Sequence, residues 1–178
     1  GRCTPEVMQA LNRRYIPEFR PSKEDGYIHL VTHNIQAQRI NDSEMDLLPG
    51  PSYSFQATIE GQFPEYSYPT DETLVLKQGA QVMFVKNDTS AEHRYVNGTI
   101  GEVVDISEDM IEVKCRDSGS VLTVRQEAWS NARYVLDETT REIREEVDGI
   151  FYQYPLKPAW AITIHKSQGL TFDRAIID

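Results

Sequence analysis

An imidazole, a cation, a hydroxyl, an amide and a glycine stand side by side at His165-Lys166-Ser167-Gln168-Gly169, directly after the apolar run Trp160-Ala161-Ile162-Thr163-Ile164. A buried strand that ends this way presents hydrogen-bond donors and a bare backbone N–H at its tip. That is where an α/β sheet meets an anionic ligand. A histidine beside apolar residues commonly ends as a satisfied core residue. Here the neighbours Lys166, Ser167, Gln168 and Gly169 make burial costly, because every polar group would need a partner. A second tip of the same kind is Thr32-His33-Asn34, between the apolar strand Tyr27 to Thr32 and the helical pattern after it. A helix N-terminus at a strand end offers unpaired N–H groups to a phosphate.

Other chemistries are excluded by what is missing. A phosphate-cradling loop of the type Gly-x-x-x-x-Gly-Lys-Ser/Thr needs a lysine after its second glycine, and none of the 10 glycines is followed by one. The run Tyr134-Val135-Leu136-Asp137-Glu138 imitates a metal-holding strand end, but without a phosphate loop it has no nucleotide to serve and reads as structural. His29, His33 and His93, with Cys3 and Cys115, show no metal-ligand spacing. The two cysteines read as free thiols of a reducing compartment, cytoplasmic or otherwise intracellular. No apolar run approaches the roughly 18 residues that span a bilayer. The net charge of −10 opposes simple nucleic-acid binding. Residues 1–40, however, carry six Lys/Arg against four acids, and screening over about 8–10 Å lets a local cationic track survive on an acidic protein.

The elements that must hold the two tips follow from pattern. Thr4 and Pro5 open a helix over residues 4–15 with Val7, Met8, Leu11 and Tyr15 on one face. Ile16 to Gly26 reads as a linker. Asn34 reads as the cap of a helix carrying Ile35, Ala37, Ile40, Leu47 and Leu48, which Pro49-Gly50-Pro51 ends; Asn41 inside it reads as a structural hydrogen-bonder. From residue 74 to 124 the segments become short and β-branched, with turns such as Asn97-Gly98 and Asp117-Ser118-Gly119. That spacing predicts a small antiparallel barrel. Residues 133–148 read as a solvated hairpin or short helix. The order α/β, all-β, α/β predicts an insertion, with strands 160–164 and 175–177 rejoining the sheet begun at 27–32.

The run from Ala159 to Phe172 resembles motif V of the superfamily 1B helicases, the RecD-like and PIF-type enzymes, whose signature is Ala-x-Thr-x-His-Lys-Ser-Gln-Gly. The segments Leu74 to Asp88, Asn97 to Gly101 and Gln153 to Lys157 are similar to stretches of the same family in the same order. The resemblance implies a second RecA-like motor domain (26–77 plus 154–178) interrupted by an SH3-like barrel (78–153), after an N-terminal helix and linker (1–25). It implies that Thr163, His165 and Lys166 face single-stranded DNA, and that Gln168 and Gly169 form the nucleotide-side or coupling element. Thr32 and Asn34, besides ending a strand and capping a helix, or N–H groups there, would contact a phosphate. Lys86, Asn87 and Arg94 could touch DNA from the barrel, or serve only as a polar loop. ATP and Mg²⁺ would be bound only with the first RecA-like domain in cis. The chain by itself would contain no catalytic residue and bind no nucleotide. The intact motor would translocate 5′-to-3′. The alternative is a non-catalytic, barrel-containing module that binds nucleic acid or protein.

Overall fold

The computed structural model describes residues 4–22, 25–136 and 142–177. Helix α1 (Pro5–Asn12) starts where expected, with the Thr4 hydroxyl accepting from the Val7 N–H at 3.5 Å. It buries none of its residues, and the apolar face of Val7, Met8 and Leu11 lies open. Strand β1 (Ile28–Val31) leads into α2 (Asn34–Asp46). Then come β2 (Tyr53–Gln56), β3 (Thr58–Gly61), β4 (Thr73–Leu76), β5 (Gln81–Phe84), β6 (Ile100–Ile106), β7 (Ile111–Cys115) and β8 (Val121–Val124). Two long strands, β9 (Glu127–Leu136) and β10 (Ile143–Gln153), precede the short β11 (Leu156–Pro158), β12 (Ala161–Thr163) and β13 (Ala175–Ile177).

The last strands do return to the first sheet. β1 lies at the centre of a parallel sheet ordered β12-β1-β13, with His29 opposite Ala161 and Val31 opposite Thr163. Helix α2 packs on it through Ala37, with Val31 and Ala161 behind. The apolar residues of α2 divide: Ala37 and Met45 are buried, while Ile35 faces solvent, as does Leu47 just past the helix end. Asn41 makes the join specific. Its amide nitrogen donates to the carbonyl of Ala161 at 3.0 Å and more weakly to that of Pro158 at 3.4 Å, and its oxygen accepts the Ala161 N–H at 2.8 Å.

The all-β region departs from expectation. Five antiparallel strands in the order β11-β5-β6-β7-β8 form an open sheet, so the described strands close no SH3-like barrel. Closure fails because β9 and β10 do not continue from β8. They pair with each other and with β3 in a separate sheet, β3-β10-β9. Of the charged stretch expected as a solvated hairpin or short helix, residues 133–136 and 143–148 form the outer part of this ribbon, and Arg133 bridges Glu146 and Asp148 across it; residues 137–141 lie outside the described residues. Asn97-Gly98 occupies a β-turn at the end of the long connection between β5 and β6, closed by Thr99 N–H to the Val96 carbonyl at 3.0 Å.

The main core gathers Leu74, Leu76, Val82, Phe84, Val103, Ile111, Val113, Tyr154 and Leu156. Two buried glutamines stitch the layers. Gln81 donates to the carbonyls of Ala159 (2.8 Å) and Tyr27 (3.2 Å), tying β5 to the start of the parallel sheet. Gln153, with no exposed surface, donates to the Phe55 carbonyl at 2.9 Å and accepts the Tyr154 N–H at 3.0 Å.

In the β5–β6 connection, the buried Asp88 accepts from the backbone of Ser90 and Arg94 and from the Arg94 guanidinium at 2.9 Å. Burial alone would raise this carboxyl, but those hydrogen bonds outweigh it and hold it far below its ordinary value. A depressed folded-state pKa adds stability above the unfolded value, near 4, that is lost as the pH falls. Asp88→Asn is therefore expected to cost about 1–3 kcal/mol at neutral pH. In urea melts the gap from the parent chain should narrow steadily from about pH 4 downward.

Candidate nucleic-acid interface

Parallel pairing of β1 with β12 puts two chain reversals at one edge of the sheet. Because Val31 stands opposite Thr163, Thr32-His33-Asn34 and Ile164-His165-Lys166 leave the sheet next to each other. The Ile164 N–H still donates to the Val31 carbonyl at 2.9 Å, so the two tips are tied at their base.

At the first tip the cap is His33, and Asn34 is the first helical residue, which corrects the assignment of Asn34 as the cap. A helix cap must be extended, and His33 is (φ −124°, ψ 141°). No side chain caps this helix; the Gln36 N–H turns back to the His33 carbonyl at 3.1 Å, which leaves the Asn34 and Ile35 N–H groups at the end where the helix dipole favours an anion. The Thr32 hydroxyl lies 3.2 Å from Gln36 Oε1 and 2.7 Å from His33 Nδ1. With its proton given to Gln36, it accepts from the His33 ring N–H.

The second tip is a tight reversal closed by Ser167 N–H to the Thr163 carbonyl (3.1 Å) and Leu170 N–H to the Ser167 carbonyl (3.1 Å). Gly169 turns the chain with φ +80°, a conformation that favours glycine. Thr163 is buried, and its hydroxyl accepts the Lys166 N–H at 3.4 Å, so its observed contact is inside the turn. The Ser167 hydroxyl donates to the Ile164 carbonyl at 2.8 Å. The side chains of His165 and Gln168 are exposed and hydrogen-bond to no described residue, which leaves them available.

Lys166 reaches solvent near Lys157, a residue that sequence reading passed over. Desolvation, and then the Lys157 ammonium, push the Lys166 amine below its ordinary value, while Asp71 works the other way. Lys157 itself bridges Asp71 at 3.2 Å. Both lysines, with Asn34 and Thr163, line a groove of about 1060 Å³ between α2 and the 65–75 segment, whose lining also carries Asp42, Asp46, Asp71 and Glu72. Thr32, His165, Gln168 and Gly169 stand outside that groove, on the exposed crest of the tips.

The other candidates are engaged elsewhere. Lys86 bridges Glu127 at 2.9 Å and sits over the Trp129 ring, Asn87 accepts the Asn97 N–H at 2.7 Å, and Arg94 holds Asp88. Tyr134 and Leu136 lie exposed on the outer ribbon, unlike a buried metal-holding strand; Asp137 and Glu138 lie outside the described residues. Among the described residues no group of His, Cys, Asp or Glu could hold a metal ion, and no helix is long and apolar enough to cross a membrane.

No family model matches the chain. Curated and solved proteins do. The ATP-dependent DNA helicase Pif1 of Bdellovibrio bacteriovorus is 32% identical over 97% of this chain and 37% of its own length. The crystal structure of Bacteroides sp. Pif1 in complex with ADP-AlF4 superposes with a TM-score of 0.86 at 36% identity, covering 98% of this chain and 39% of that one. Bacteroides Pif1 bound to ssDNA gives a TM-score of 0.74 over the same shares. The chain thus spans less than two fifths of the length of each.

Proposed function

Because this chain belongs to the Pif1 family of superfamily 1B helicases and matches one segment of its members, we propose that it is the DNA-tracking part of the second RecA-like domain of an ATP-dependent DNA helicase. The observation that carries this reading is the pairing of β1 with β12, which sets an uncapped helix N-terminus beside the His165–Gly169 turn. The helix N-terminus, His165 and the Lys166 ammonium form a phosphate-binding edge, with Lys157 beside them held by Asp71. Contacts of that kind hold a single strand without reading its bases. The similarity to Bacteroides Pif1, in one structure bound to ssDNA and in another in complex with ADP-AlF4, supports the same reading.

In the intact enzyme, ATP and Mg²⁺ would sit between this domain and a first RecA-like domain that supplies the phosphate loop. Closing of that cleft would move the strand-tip edge along DNA, 5′-to-3′ as in the superfamily. Gln168 and Gly169 stand at the far side of the turn from the strand end and would couple the two events. Thr163 would act by shaping the turn, since its hydroxyl is already occupied there.

The test uses the intact parent enzyme. His165→Ala should weaken single-strand binding about tenfold, close to the loss of one hydrogen bond to a charged group, with little change in melting temperature. Gln168→Ala should leave binding near normal and reduce unwinding per ATP hydrolysed. If both variants melt much earlier yet retain near-normal activity per folded molecule, the turn is structural and the reading fails.

A further inference from the structure

We propose that Gly98 and Leu170 form a positioning contact through which the five-stranded sheet sets the placement of the His165–Gly169 turn. The functional weight of this contact rests on the reading that the turn meets DNA phosphate; the contact itself does not.

The turn has two unlike sides. Its polar side chains, His165, Lys166 and Gln168, project into solvent. Its exit residue, Leu170, packs inward with Phe172 against Ile28, Met83, Ile100, Ala159 and Ile162, which come from both the parallel and the antiparallel sheet. Directly against Leu170 lies Gly98. A Cβ built on Gly98 would stand 2.8 Å from Leu170 Cδ2, nearer than such atoms approach, and the neighbouring Leu170 carbons would follow at 3.4 and 3.5 Å. A side chain at Gly98 would have to displace the Leu170 side chain from its seat.

The Gly98 side of the contact is firmly held. Its own N–H donates to the Phe84 carbonyl at 2.8 Å, the Asn97 N–H to Asn87 at 2.7 Å and the Val96 N–H to the Thr99 hydroxyl at 3.1 Å. Among the described residues, the backbone of the His165–Gly169 turn is held by its own short reversal bonds, the Thr163 hydroxyl and the seat of Leu170. A fixed surface thus bears on the apolar underside of a turn whose upper side is free. Displacing Gly98 from Leu170 would shift His165, Lys166 and Gln168 together.

Amide hydrogen exchange on the full chain tests this without DNA. Gly98→Ala combines an unfavourable φ of +97° with the contact, whereas Gly50→Ala carries a similar φ of +88° with nothing within 4 Å. It therefore isolates the backbone strain. Gly98→Ala is expected to speed exchange at the Ser167 and Leu170 amides tenfold or more, relative to Gly50→Ala. The sheet amides of His29 and Ile164, which donate to Trp160 and Val31, should keep their rates. Leu170→Ala should reproduce the effect and Leu170→Met should largely restore the parent rates.

Equal turn exchange in Gly98→Ala and Gly50→Ala overturns the proposal. If Gly98→Ala loosens the whole sheet, Leu170→Ala decides: loosening confined to the turn upholds the contact, and unchanged turn rates refute it. The same variants in the intact enzyme are then titrated with fluorescent oligothymidylate. A severalfold loss of affinity accompanying the faster turn exchange supports both readings. Faster exchange with unchanged affinity upholds the contact and overturns the phosphate reading.

Discussion

Gln153→Leu is expected to lower the unfolding free energy by about 3–5 kcal/mol, a third or more of the stability of a typical domain. Leucine matches the volume but leaves several backbone groups without partners. Gln153 has no exposed surface, and its amide nitrogen donates to the Phe55 carbonyl at 2.9 Å and is shared with those of Glu72 (3.2 Å) and Asp71 (3.4 Å). Its oxygen accepts the Tyr154 N–H at 3.0 Å. Each buried group that loses its partner costs about 1–3 kcal/mol, and the apolar gain of leucine recovers only part of that. Gln153→Glu should be no better, because it keeps the acceptor but replaces the donor with a buried charge. Urea denaturation of the three chains checks this. A Leu variant within about 1 kcal/mol of the parent would mean that water reaches those carbonyls.

Asn41→Ala should come next, at about 2–4 kcal/mol. The side chain spans from α2 to β12 and satisfies the Ala161 carbonyl at 3.0 Å and the Ala161 N–H at 2.8 Å, residues 120 positions away. Losing it frees the helix from the strand whose tip carries the His165–Gly169 turn. Unlike Gln153→Leu, it should also weaken single-strand binding in molecules that remain folded, because the helix N-terminus and the turn would no longer share a rigid base. Denaturation paired with oligonucleotide binding at a temperature where the variant is folded separates the two effects. Lost stability with intact affinity would show that the β1–β12 pairing alone aligns the tips.

The return of the chain to its first sheet was legible because β1 and β12 are short apolar runs, each ending in polar turn residues, as strands buried on both faces are. The open sheet was not. The strands that would close a barrel, β9 and β10, give no sign in their residues that they pair with each other or that β10 pairs with β3. Gly149 shows the missing signal: a Cβ there would meet the Gln62 backbone at 2.5 Å, a close approach visible only in three dimensions. Asn34 was read as a cap because its residue type favours that position, whereas the backbone gives the cap to His33, one residue earlier. Buried glutamines such as Gln81 and Gln153 escape sequence reading for a related reason. An uncharged polar residue is mostly found at the surface, and only its neighbours reveal when it is not.

The position of β1 at the centre of its sheet also imposes an order of assembly. Both of its partners, β12 and β13, lie more than 125 residues later in the chain. During synthesis β1 emerges early and has no strand to pair with until residues 161–177 have followed. The β5–β8 hairpins, by contrast, need only adjacent residues and can form as they appear. At roughly 5–20 residues per second, β1 waits for about 7–30 seconds with its apolar side chains uncovered. The sheet edge that carries the His165–Gly169 turn is therefore the last part of this segment to form. A chaperone acting on the nascent chain would find its substrate in residues 28–31, and in a pulse-labelled translation reaction those amides should gain protection only after β13 has left the ribosome.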